Sequence, residues 1–365
     1  VVKVSPHIFK EHEIRGSLKK DFTATKTKTL GRALAQFFEK IFPEEELIVA
    51  SGQSLEAESI HDLLVEELLQ AGVLMVDLGQ IPTPLFFYAP HDLEYGNGIL
   101  VESNSDGTIS LTIVSDGQVV FGHELQLLAK LAKQRTLWSL KDPGRIRKGS
   151  VMVPYMRMLR QKLKFAKDLK IVVDCAHRPD AFFVTYLFTS LGCQVVSLAS
   201  DDYQTETEPA FEEDERLKIL GDVVKREKAQ VGFFFPIRGE RLLVVDEKGK
   251  VVPTEKLMLL FLRELLAEHP KAEIAVPDDC PGSITGEIER LGGTASFLFG
   301  GPQPFRAAKT GAIFGGDRGD QFFFADEYYG YADAYYGAGR LIRLLSREDK
   351  PLSRLLPRIR KSKKN

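Results

Sequence analysis

Three short loops hold the side chains of this 365-residue chain that are best equipped for chemistry. The first, Glu102-Ser103-Asn104-Ser105-Asp106-Gly107, follows an apolar run at 98–101. A serine hydroxyl is a nucleophile once a neighbour activates it, and in a polar turn it is equally an ordinary hydrogen-bonding group. No basic side chain adjoins Ser103, whereas Glu102 and Asp106 do, and their charge opposes an incoming anion. The second loop, Pro236-Ile237-Arg238-Gly239-Glu240-Arg241, sets one carboxylate between two guanidinium groups. A guanidinium grips carboxylate or phosphate bidentately, while one carboxylate falls short of the oxygen set that a hard divalent cation requires. The third is the glycine-rich stretch 311–324, where Asp317 stands ahead of Arg318 and Asp320, two residues expected to pair in solvent.

Strands and helices must carry these loops. Alternation and β-branched or aromatic residues predict strands over 231–235 and 242–246, so that the second loop is a tight turn marked by Gly239. Further strands are expected at 46–51, 73–78, 98–101, 169–174, 194–198, 273–276 and 294–299. Leu30, Ala33, Leu34, Phe37, Phe38 and Ile41 form one apolar face, predicting a helix over 29–42 that Pro43 ends. Other helices are expected over 59–71, 123–137, 154–165, 181–191, 217–228, 255–268, 283–291 and 333–345. Strands separated by helices predict mixed, mainly parallel sheets. The polar stretch 142–150, with Pro143, Gly144 and Gly149, is expected to be a linker. Phe233–Phe235 and Phe322–Phe324 are expected to be buried strands rather than an exposed patch.

Composition narrows the function. Lys plus Arg is 49 and Asp plus Glu is 51, a net charge of −2 that gives no global pull toward nucleic acid or membranes. Cys175, Cys193 and Cys280 have neither metal-ligand nor disulfide-framework spacing, as expected of a cytoplasmic protein. No apolar run reaches the roughly 18 residues of a membrane span, no signal peptide is visible, and no P-loop or dinucleotide fingerprint occurs. The acidic run 201–215 is expected to be a solvated loop and helix start, and the basic run from Arg354 to Lys364 a solvated tail.

Taken in order, these landmarks resemble the phosphomannomutase/phosphoglucomutase (α-D-phosphohexomutase) family over roughly residues 6–346. Phe9, Ile14, Arg15 and Gly16 match its opening F-R-x-Y-D-I-R-G, and Pro82-Thr83-Pro84 its P-T-P turn. Ser103 falls on the phosphoryl-carrying serine of T-A-S-H-N-P, with Asn104 for the histidine, Ser105 for the asparagine and Asp106 for the proline. The family's following lysine falls near Thr112. Asp174 and Cys175 match the start of D-C-G-N-G. The 236–241 loop stands where D-G-D-G-D-R holds Mg²⁺, with proline and arginine for the first two aspartates. Gly311–Phe324 is similar to the sugar-recognition loop G-A-x-F-G-G-E-x-S-G-H-x-x-F, with Asp317 for the glutamate. The preceding G-H-S falls at 300–303 without its histidine, and G-R-D-x-R falls at 52–56 without its arginines.

The resemblance implies an α/β fold of three tandem phosphohexomutase-like domains, 1–148, 149–252 and 253–350, with mixed sheets flanked by helices and a basic tail at 351–365. The family's fourth domain is expected to have no counterpart after Pro351. It further implies Ser103 as the candidate catalytic residue, Arg15, Arg241 and Asp317 as substrate-binding residues, and Glu240 as a vestigial metal ligand. Because the changes fall on four loops at once, the first expectation is a non-catalytic scaffold or regulatory module with a protein partner such as an active homologue, needing no cofactor. The alternatives are a mutase that interconverts hexose 1- and 6-phosphates through Ser103, with Mg²⁺, and a sugar-phosphate sensor.

Overall fold

The computed structural model describes residues 4–41, 45–104, 106–133, 142–176, 180–198, 212–298, 311–317 and 319–357. The chain divides into two compact units, residues 1–155 and 156–365.

The first unit contains β1 (Ile14–Ser17), α1 (Ala24–Ile41), β2 (Leu47–Ser51), α2 (Leu55–Gln70), β3 (Met75–Gln80), α3 (Thr83–Leu93), β4 (Gly98–Ser103), β5 (Thr108–Ser115), β6 (Gln118–Val119), α4 (His123–Leu131) and β7 (Ile146–Lys148). Its sheet runs β1-β5-β4-β2-β3-β7, with β6 alongside β5. The β4-β2-β3-β7 half is parallel, and β1 and β5 are antiparallel additions. Of the predicted apolar face of α1, Leu30, Ala33, Leu34, Phe37 and Phe38 are buried. Gly31 lets α2 come close, since a Cβ there would lie 2.9 Å from Cβ of Glu67. Ser54 caps α2 by accepting the Ala57 N–H at 3.0 Å.

One expectation fails here, and one strand was not foreseen. The stretch 142–150 is not only a linker, because β7 pairs in parallel with β3. Its side chains are solvated, so no apolar signal marks it; its backbone and two ion pairs, Lys148 to Asp77 at 2.6 Å and Arg147 to Glu46 at 2.8 Å, dock it. The turn after Ser103 returns as the eight-residue strand β5, almost wholly buried between its end residues, which sequence patterning did not reveal.

The boundary between units falls within α5 (Met152–Lys162). The second unit continues with β8 (Lys170–Asp174), α6 (Asp180–Ser190), β9 (Gln194–Ser197), α7 (Glu213–Glu227), β10 (Val231–Phe234), β11 (Leu243–Asp246), α8 (Thr254–Glu268), β12 (Glu273–Pro277), α9 (Gly282–Arg290), β13 (Thr294–Leu298), β14 (Phe314–Gly316), β15 (Phe322–Phe324), α10 (Ala334–Arg347) and α11 (Leu352–Leu355). Two four-stranded sheets result, β11-β10-β8-β9 and β13-β12-β14-β15. Each has three parallel strands and one antiparallel edge strand, the repeated plan expected from the sequence. We retain 149–252 and 253–350 as a proposed subdivision, since each range holds one of these sheets.

Phe233, Phe234, Phe235 and Phe322–Phe324 are all buried, as expected. Within 351–365, residues 352–355 are helical rather than a loose tail: Leu352 is buried and Ser353 bonds Glu247. Most of the acidic run, the 300–303 segment, Ser105, Arg318 and 358–365 lie outside the described residues. The remainder of the acidic run starts α7.

Candidate functional site

Ser103 ends β4, opposite Ile109 of β5. Its hydroxyl donates to Ser54 Oγ at 2.8 Å, and that oxygen also caps α2, so Ser103 is tied to a helix start. The turn beyond it is braced by its own polar groups. Asn104 reaches Thr108 Oγ1 at 3.1 Å, and Asp106 accepts the Thr108 N–H at 3.1 Å and its hydroxyl at 2.6 Å. Arg15, on β1 opposite Ser110, bonds Thr108 Oγ1 through Nε at 3.0 Å and Asp106 through Nη2 at 2.8 Å. The Thr108 bonds, aided by Arg15, hold the Asp106 carboxyl below the usual range. Glu102 is buried and accepts the Thr83 hydroxyl. Arg15 therefore arrives in the Ser103 loop, as the sequence suggested, but with a carboxylate on its guanidinium.

The β10–β11 loop is organised by charge. Arg238 adopts φ +82°, in the left-handed region that disfavours a side chain. Its Nε lies 3.2 Å from Glu240 Oε2. Gly239, at φ +75°, has no room for a Cβ, which would meet the Tyr335 hydroxyl at 2.6 Å. Arg241 is held by both Nη atoms to Glu213 at 2.7 and 3.0 Å, to Asp320 at 3.0 Å and to the Gly319 carbonyl at 3.1 Å. Asp320 accepts from Arg241 and from the Thr254 hydroxyl; its expected partner Arg318 lies outside the described residues. Asp317 accepts the Gly319 and Gln321 N–H groups at 2.9 and 3.0 Å, closing its own loop. Burial pushes its carboxyl above the ordinary value against the pull of those bonds.

Arg241 and Asp317 thus share one loop cluster, with Asp320 between them, and the same unit holds Glu240. The donor set of the 236–241 loop does not fit Mg²⁺. Pro236 offers no side-chain oxygen, and the one carboxylate, Glu240, faces a guanidinium. No three His, Cys, Asp or Glu side chains among the described residues are grouped to hold a metal. Sequence reading missed Ser54, Thr108 and Glu213 as partners of the candidates. Ser54 carried a signal, a serine directly ahead of an amphipathic helix with acids in its first turn; Glu213 had none beyond its acidic run.

Mixed sheets, with Ser103 at a strand end in the first unit and a tight polar hairpin in the second, are the arrangement expected of a phosphohexomutase-like α/β fold. The comparisons agree. The family model for phosphoglucomutase/phosphomannomutase, alpha/beta/alpha domain I, matches residues 6–105. The phosphomannomutase/phosphoglucomutase of Pseudomonas putida is 28% identical over 355 residues, covering 95% of this chain and 76% of its own. Its Pseudomonas aeruginosa counterpart is 27% identical over 351 residues, covering 94% and 75%. The solved phosphoglucomutase/phosphomannomutase family protein of Burkholderia thailandensis superposes with a TM-score of 0.84 at 26% identity, over 97% of this chain and 80% of that one. Along nearly its whole length the chain is similar to proteins of the phosphomannomutase/phosphoglucomutase family. Among the described residues, no helix is long and apolar enough to cross a membrane.

Proposed function

We propose that this chain handles hexose phosphates in the cytoplasm and exchanges a phosphoryl group at Ser103 as a slow, metal-independent phosphohexomutase. The names of its relatives supply the ligand class and the reaction. The observation that carries the reading is the Ser103 hydroxyl, fixed at the end of β4 by Ser54, with Arg15 anchored in the same loop. An arriving phosphate competes with Asp106 for the Arg15 guanidinium, and that exchange is the proposed binding step. Arg241 and Asp317 are the proposed sugar- and phosphate-facing groups of the second unit.

The reaction is expected to be slow for a stated reason. Among the described residues no base is hydrogen-bonded to Ser103, and a positioned general base contributes about 10²–10⁴-fold. The loop around Glu240 likewise lacks the oxygen ligands that would hold a divalent metal ion. A coupled assay starting from mannose 1-phosphate or glucose 1-phosphate tests this. Weak turnover, abolished in Ser103→Ala and unchanged by chelator, is the expected result.

A second reading is a non-catalytic module that binds a partner such as an active homologue. The Arg238–Glu240 pair favours it, because the loop satisfies its own charges without a ligand. Turnover that is absent in wild-type protein and in Ser103→Ala alike selects this second reading.

A further inference from the structure

The turn after β11 and the segment around α11 enclose a groove of about 680 Å³ that none of the candidate loops uses. Lys248, Lys250, Lys256, Lys350 and Arg354 line it, over an apolar floor that includes Val251, Pro253 and Leu356. None of these five cations is ion-paired within the described residues. The two carboxylates at hand are already committed. Asp246 is buried and accepts the backbone N–H of Lys248 at 3.0 Å and of Lys250 at 2.9 Å. Glu247 accepts the Ser353 N–H at 3.0 Å and the Ser353 hydroxyl, which pins α11 against the β11 turn. These same bonds fix the two walls that carry the lysines and the arginine.

Like charges gathered in a concavity repel one another and concentrate counter-anions. We propose that the groove is a binding site for a small molecule carrying two or more phosphate groups. Five convergent cations exceed what one phosphate needs, and the volume lies within the roughly 300–1,000 Å³ of small-molecule sites. Among the described residues no aromatic side chain lines the groove, so they offer no stacking platform of the kind single-stranded nucleic acid uses. The site is built entirely from residues 246–357 and does not rest on the Ser103 reading.

The test uses the full chain and inorganic tripolyphosphate, with sulfate at matched ionic strength as control, followed by calorimetry and thermal unfolding. The expected result is saturable binding and a rise in Tm with tripolyphosphate that exceeds the sulfate response. In Lys248→Gln/Lys250→Gln, binding weakens about tenfold or more, as the loss of charge-assisted bonds predicts. Both side chains are exposed, so the variant's own Tm without anion stays the same or rises. A nucleoside triphosphate and a hexose bisphosphate, run in parallel, tell which phosphorylated class fits best. Equal binding by wild type and variant overturns the proposal. So does a single-stranded oligonucleotide that binds where tripolyphosphate does not.

Discussion

At the scale of single residues, strain and charge are settled locally. Arg238 keeps a left-handed backbone, which glycine would relieve, and gains a largely buried ion pair with Glu240, which glycine would lose. Arg238→Gly is therefore expected to leave stability within about 1 kcal/mol of wild type, while Arg238→Val loses about 1–2 kcal/mol because a β-branched residue resists that conformation; urea denaturation compares them. Asp77 offers a pH signature. Burial alone would raise its carboxyl pKa, but the His61 ring, whose Nε2 lies 3.4 Å away, and hydrogen bonds from Lys148 at 2.6 Å and the Gly79 N–H outweigh it and hold it well below the usual range. Burial would lower His61, and Asp77 and Asp62 raise it instead. A depressed acid stabilises above its unfolded pKa of about 4, and a raised histidine stabilises below its unfolded value of about 6.5. The pair thus stabilises most between those limits. Asp77→Asn should lose about 2–3 kcal/mol near pH 6, and the difference should shrink as pH falls below 4 and as it rises through the histidine's folded pKa. A difference independent of pH would contradict this account. The sequence presented Ser103, Arg15, Arg241 and Asp317 by type, yet the carboxylates gripping the arginines come from segments distant in sequence, Asp106 from the β4–β5 turn and Glu213 from the start of α7. No spacing rule marks Asp106 for Arg15 or Glu213 for Arg241.

Elements were legible where apolar periodicity was strong and opaque where the backbone alone decides. The faces of α1 and α8 and the strands β8, β10 and β12 follow from their patterns. By contrast β1 is short and half polar, and β7 is exposed on every side chain, so pairing with β5 and β3 defines them. Helix α10 shows a further limit, since it buries an arginine. Arg340 is fully inaccessible, bonds the equally buried Asp326 at 2.6 Å and lies 5.0 Å from the centre of the Phe324 ring. Burial opposes its charge, while Tyr336, Asp326 and Glu264 hold its pKa above the ordinary value. Removing one partner strands the other, so Arg340→Met is expected to lose about 3–5 kcal/mol, whereas Arg340→Met/Asp326→Leu should recover most of that loss. Chemical denaturation of the two variants checks the difference, and equal losses would show that the pair does not act as a unit.

At the scale of the whole molecule, each unit carries its own interior. The cluster joining Ile8, Phe37, Leu64, Leu111 and Leu128 lies wholly within residues 1–155. That segment expressed alone is expected to unfold cooperatively; a gradual, non-cooperative melt would show that its core is insufficient. The family resemblance was readable from ordered landmarks, because loops of fixed shape leave a glycine and aromatic frame even where their charged residues change. The most direct measurement is intact mass after incubation with glucose 1,6-bisphosphate in the presence of chelator. The account predicts a single phosphoryl adduct that maps to Ser103 and is missing from Ser103→Ala. No adduct, or one that persists in that variant, would contradict it.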